Sequence, residues 1–107
     1  MINKKDRTME IYKKAGAEMR LLKHLGTKTA VDVSKVLSAK DTDRLMRALN
    51  TIETVCSHAE DNMFRDYPEL GNAYTDVFYG SVDMEPRNDV DREIIELAGI
   101  AANELFG

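Results

Sequence analysis

The chain has 107 residues, of which 43% are apolar and 32% charged, the length of one ordinary domain and the composition of a globular rather than a disordered chain. A single cysteine, Cys56, excludes an internal disulfide and any zinc site built on paired thiols. No apolar run approaches the ~20 residues that cross a bilayer, and Met1 to Asp6 lacks a secretory core, so a soluble, cytoplasmic protein is expected.

Charge is divided unevenly. Residues 1–47 hold 12 Lys/Arg against 6 Asp/Glu, and residues 48–107 hold 3 against 13. Such a division suits either a basic surface for nucleic acid or two halves that attract each other.

Five helices are predicted within one helical domain spanning residues 1–107. The first covers Lys4 to Leu25, capped by Asn3 with Asp6 three residues on. Its apolar face is Ile11, Tyr12, Ala15, Met19 and Leu22, and Gly26 is its left-handed cap. A short second helix, Ala30 to Leu37, opens on Thr29 and Asp32.

The third runs from Ala39 to Arg65 behind Ser38 and Asp41. Leu45, Leu49, Ile52, Cys56, Ala59 and Met63 recur at spacings of 4, 3, 4, 3 and 4, a heptad seam. At 1.5 Å per residue this helix is ~40 Å long and is expected to be the central spine. Pro68 suits the first turn of a fourth helix, Glu69 to Tyr79, which places Leu70, Ala73, Tyr74, Val77 and Phe78 on one face and stops at Gly80. A loop over 81–88 leads to the fifth helix, from Asp89 to the chain end, with Asn88 and Asp91 at capping-box spacing. Val90, Ile94, Leu97, Ala98, Ala101 and Leu105 form one face there. Ile95, Gly99, Ala102 and Phe106 widen it past half the circumference. A helix so apolar is either central or half covered by a second copy. The fold expected is all-α, a compact four- to five-helix bundle.

Candidate chemistry is sparse. His24 and His58 fall on polar faces, and Cys56 lies mid-seam, where a thiol packs as a small apolar group. Glu93-x-x-Glu96 with Asp66-x-x-Glu69 has the paired carboxylates that magnesium needs in small all-helical nucleotide pyrophosphatases, but in the reverse order. Residues 29–50 have the short helix, turn and long helix of a helix-turn-helix, with Lys35, Lys40, Arg44 and Arg47 as the phosphate-facing bases. Asp41 and Asp43 oppose that role. Phe64, Tyr67, Tyr74, Phe78 and Tyr79 crowd one short, acidic stretch.

The leading expectation is a non-enzymatic regulator, adaptor or inhibitor that works by protein–protein interaction. Its contacts are Tyr67, Glu69, Tyr74, Tyr79, Ala102 and Phe106, with a homodimer joined through residues 89–106. DNA binding through 29–50 is the alternative, and a magnesium-dependent pyrophosphatase the third. No cofactor or metal is expected under the leading reading.

Overall fold

A computed structural model describes residues 1–106, the last of them by its backbone alone, and every regular element in it is helical. Three helices carry the fold: α1 (Met9–Val33), α2 (Ala39–Asp66) and α3 (Asp89–Phe106). Short 3-10 turns lie at Lys4–Asp6 and Asn72–Tyr74.

This count corrects the expected four- to five-helix bundle. The first two predicted helices are one. α1 opens at Thr8, whose hydroxyl accepts from Ile11 N at 3.3 Å, while Asn3 makes no side-chain cap. It then runs straight through Gly26, and no described glycine has a positive φ. A glycine inside a helix costs about 1 kcal/mol against alanine. Here it sits under α2, where an added Cβ would stand 2.7 Å from Leu49 Cδ2. α1 ends instead at Ser34, whose hydroxyl donates to Val31 O at 2.8 Å.

α2 matches the expectation from cap to end. Ser38 Oγ accepts from Asp41 N at 3.2 Å, and within the heptad seam Cys56 and Met63 are fully buried. It runs antiparallel to α1, since Arg7 pairs with Asp66, Lys23 with Glu53, and Gly26 abuts Leu49. It is not the central helix, however. Both α2 and α3 pack against α1 and scarcely touch each other.

The fourth predicted helix is absent. Residues 67–88 are irregular apart from the turn at Asn72–Tyr74. Side chains of α1 hold the main chain of this segment: Arg20 donates to Asp76 O, Val77 O and Ser81 O, and Lys23 Nζ to Phe78 O. The β-branched and aromatic run Thr75 to Tyr79 resists little, because these residues are indifferent helix formers. Val77 and Phe78 enter the core with Tyr12, Ala17, Cys56, Met63, Ile94 and Ala98. Gly16 lets this segment approach, since a Cβ there would lie 2.6 Å from both Val77 Cγ1 and Val77 O.

α3 starts as expected. Asn88 Oδ1 accepts from Asp91 N at 2.8 Å, and Asp91 Oδ2 accepts from Arg87 N at 2.9 Å. It runs parallel to α1: Lys13 meets Glu93 near one end, and Leu22 and Leu25 share a groove with Ala101 and Leu105 at the other. The α1–α2 hairpin therefore continues past the end of α3 as a two-helix projection. The molecule measures 46 × 26 × 24 Å with a radius of gyration of 15.2 Å, against about 13 Å for a compact chain of this length.

Candidate protein-interaction surface

The charges that build the interior come first, because they decide which polar groups are left for a partner. Arg20 is charged, yet only 2% of it is exposed. Nε donates to Val77 O at 3.0 Å, Nη1 to Ser81 O at 3.0 Å, and Nη2 to Asp76 O. Nη1 also lies 2.6 Å from Asp91 Oδ1. Burial pushes the Asp91 carboxyl up, but the Arg87 amide and the Arg20 guanidinium outweigh it and leave it below the usual range. One signal in the sequence pointed here: Tyr12, Gly16 and Arg20 fall on one strip at spacings of four.

A second cluster clamps the other end of the hairpin. Arg7 holds Asp66 bidentately at 2.6 and 3.0 Å, and Tyr12 donates to the same carboxylate at 2.5 Å. These hydrogen bonds, that from Arg7 foremost, hold the Asp66 carboxyl far below the ordinary carboxylate range. Tyr67 closes the cluster, donating to Arg7 O at 2.7 Å and standing edge-on to Tyr12.

The expected site residues are thus scattered. Tyr67 is half-buried in the Arg7 cluster, Tyr74 lies under Lys13, and Tyr79 lies under Lys23, whose Nζ is 4.5 Å from the ring centre. Glu69 is exposed. The three rings line the loop where it meets α1 and do not form one exposed patch. Ala102 is half-buried on the flank of α3, and the Phe106 side chain lies outside the described part of the structure.

For magnesium, Asp66 is already taken by Arg7 and Glu93 is paired with Lys13 at 2.8 Å. Among the described residues no group of three or more His, Cys, Asp or Glu is placed to hold a metal ion. His24 and His58 are both exposed. Burial pushes the Cys56 thiol up, away from the thiolate that reactivity needs.

Residues 29–50 are the turn of an antiparallel hairpin. They do not form the two steeply crossed helices of a helix-turn-helix, because the first helix is the tail of α1. Lys35 stands 4.0 Å from Asp32, Arg44 3.4 Å from Asp41, and Arg47 2.8 Å from Asp43. Lys40 is exposed.

What is left uncovered is apolar and helical. The apolar face expected for the first helix is turned by roughly a quarter of the circumference from the face that is buried. Tyr12, Gly16, Ala17, Arg20 and Ala30 point inward, whereas Ile11, Leu22 and Leu25 are each 46% exposed. Ala15 is exposed beside them. On α3, Ile94 and Ala98 are buried as expected, but Leu105 is 71% exposed because no element covers the last turn. Leu22, Leu25, Ala101 and Leu105 wall a groove of about 500 Å³, with Lys14, Glu18 and Glu104 at its edges.

No described helix is long and apolar enough to cross a membrane. No protein-family model matches the chain, and neither curated proteins nor solved structures gave a match. The class that the fold defines is an all-α chain of three helices with a long irregular connection.

Proposed function

We propose that the chain is a non-enzymatic helical interaction protein, a small regulator, adaptor or inhibitor of another macromolecule, and that it associates with itself through α3. The observation that carries this is uncovered surface. The chain exposes 7192 Å², whereas a compact monomer of its mass exposes about 6,000 Å². The surplus is of the same order as the ~800 Å² that each partner gives to a standard interface.

Most of the uncovered large apolar side chains lie on helices, which favours a docking role over loose collapse. Ile11, Leu22 and Leu25 line α1, and Ile100 and Leu105 lie on α3. α3 belongs to the interface because both sides of its inward stripe are open. Ile95, Gly99 and Ala102 lie on one flank, and a Cβ on Gly99 would meet nothing within 4 Å. Ala101 lies on the other, and Leu105 continues the stripe past the last element that covers it. A further protein partner would use Glu69 and the outer edges of Tyr67, Tyr74 and Tyr79.

Light scattering on the purified chain tests self-association. The mass of two chains is expected at micromolar concentration, falling toward one on dilution. A monomer at high micromolar concentration removes it. Magnesium-dependent release of pyrophosphate from a nucleoside triphosphate would replace the non-enzymatic reading. Salt-sensitive binding to duplex DNA would do the same for the protein-partner reading.

A further inference from the structure

α1 carries two apolar strips. The first, centred on Tyr12, Gly16 and Ala17, is buried in the core. The second, Ile11, Ala15, Glu18, Leu22 and Leu25, has the 4, 3, 4, 3 spacing of a coiled-coil seam. Its members other than Ala15 and Glu18 are large and apolar, and all five are exposed. A seam of this spacing is a surface on which a helix packs at about +20°, and α2 and α3 both sit on other sides of α1.

We infer that this strip is the interface between two copies of the chain, laid antiparallel about a two-fold axis that crosses α1 between Ala15 and Glu18. The inference rests on the self-association proposed above but moves its centre from α3 to α1, with α3 contributing only Ala101 and Leu105 at the groove. A two-fold interface must be self-complementary, residue i meeting j while j meets i. With the axis placed there, Ile11 of each copy meets Leu22 of the other and enters the groove that Leu25, Ala101 and Leu105 wall. The small side chain of Ala15 stands where the two helices come closest.

Charge fits the same register. Lys14 and Glu18 make no ion pair within the chain among the described residues. In the antiparallel arrangement Lys14 of each copy reaches Glu18 of the other, so the pair forms twice. A parallel arrangement would instead set Glu18 against Glu18, and like charges face to face exclude a register. The uncovered area agrees, since the surplus over a compact monomer is about 1,200 Å², enough for one side of a standard contact.

The test is the mass in solution of the full chain and five variants, with helix content followed by circular dichroism. Leu22→Glu combined with Leu25→Glu should give a folded monomer, because both side chains are half outside the core already. Lys14→Glu alone and Glu18→Lys alone should each raise the dissociation constant at least about tenfold, and the two together should restore it. Ala102→Glu, on the far flank of α3, should leave the dimer intact. A dimer that survives the double leucine change, a charge swap that fails to rescue, or dissociation by Ala102→Glu overturns this interface and leaves self-association standing. A wild-type monomer at high micromolar concentration removes self-association and the interface with it.

Discussion

Arg20 and Asp66 sit at opposite ends of the core, and each ties a loop or terminus to α1. Arg20 satisfies three backbone carbonyls and faces Asp91 with almost no water in reach. Removing one partner of a buried ion pair costs about 3–5 kcal/mol. Arg20→Ala is therefore expected to lower unfolding free energy by about that much in urea titrations. Arg20→Lys should recover little of it, since an ammonium cannot span carbonyls spread along a planar fork; full recovery would show that charge alone matters there. Asp66 gives a pH signature. Its folded carboxyl titrates far below the unfolded value of about 3.9, so its contribution is complete above that value and is lost as pH falls through the acid range beneath it. The difference in melting temperature between wild type and Asp66→Asn should thus be constant above about pH 5 and shrink below about pH 4. A difference independent of pH would mean that the Arg7 contact contributes nothing to stability.

The helices differ in how legible they were, and two glycines mark where legibility ended. Ser38 and Asn88 were readable as caps because a cap is local chemistry, a side-chain oxygen accepting an amide three residues on. The α2 seam was readable because its period is set by the same helix that bears it. Gly26 misled because a glycine can stop a helix or sit inside one, and nothing local decides between them; here the helix runs on beneath the Leu49 side chain. The irregular path that replaces the fourth helix was invisible for a related reason: it is held by Arg20 and Lys23 from a distance in sequence of about 55 to 61 positions. The two glycines should behave oppositely when replaced. At Gly26 an added methyl meets only the flexible end of Leu49, so Gly26→Ala should stabilise by up to about 1 kcal/mol through helix propensity. At Gly16 it meets the Val77 main chain, so Gly16→Ala should destabilise by about 1–3 kcal/mol. Thermal melts of the two variants check this, and equal shifts in one direction would refute the packing described for Gly16.

Across the whole molecule the uneven charge becomes intelligible. Four ion pairs bridge separate elements on α1's sides, Arg7–Asp66, Lys13–Glu93, Arg20–Asp91 and Lys23–Glu53, and each joins a base of the first half to an acid of the second. The division visible in the sequence is thus spent in part on internal attraction. The candidate surface was only half legible. Ile11, Ala15 and Leu22 stood out as an apolar strip, but periodicity cannot say whether a strip faces its own core or another molecule. That distinction needs the position of the strip beginning at Tyr12, which the 4-residue spacing of Tyr12, Gly16 and Arg20 hides behind a charged residue. The hairpin beyond α3 has its own consequence. Val31, Val36 and Met46 near its tip are well exposed, and few contacts outside the two helices hold it, so it should open locally at low free energy. Hydrogen exchange is expected to be faster at amides near Val31 and Met46 than at Cys56 to Met63. Equal protection would mean that the projection is covered in solution.

Arg20 also bears on how freely the long connection can change. A guanidinium that grips carbonyl oxygens recognises the path of the main chain and is blind to what the chain carries. Asp76, Val77 and Ser81 offer it the same group that any residue offers there. The grip itself therefore asks nothing of the side chains of Asp76 and Ser81, which answer instead to Arg87 Nη1 and Met84 N, whereas Gly80 is fixed by it, because a Cβ there would fall onto the guanidinium itself. One arginine and one glycine thus set the fixed points of a segment whose remaining exposed letters are free to diversify, which gives the protein a variable edge on an invariant frame.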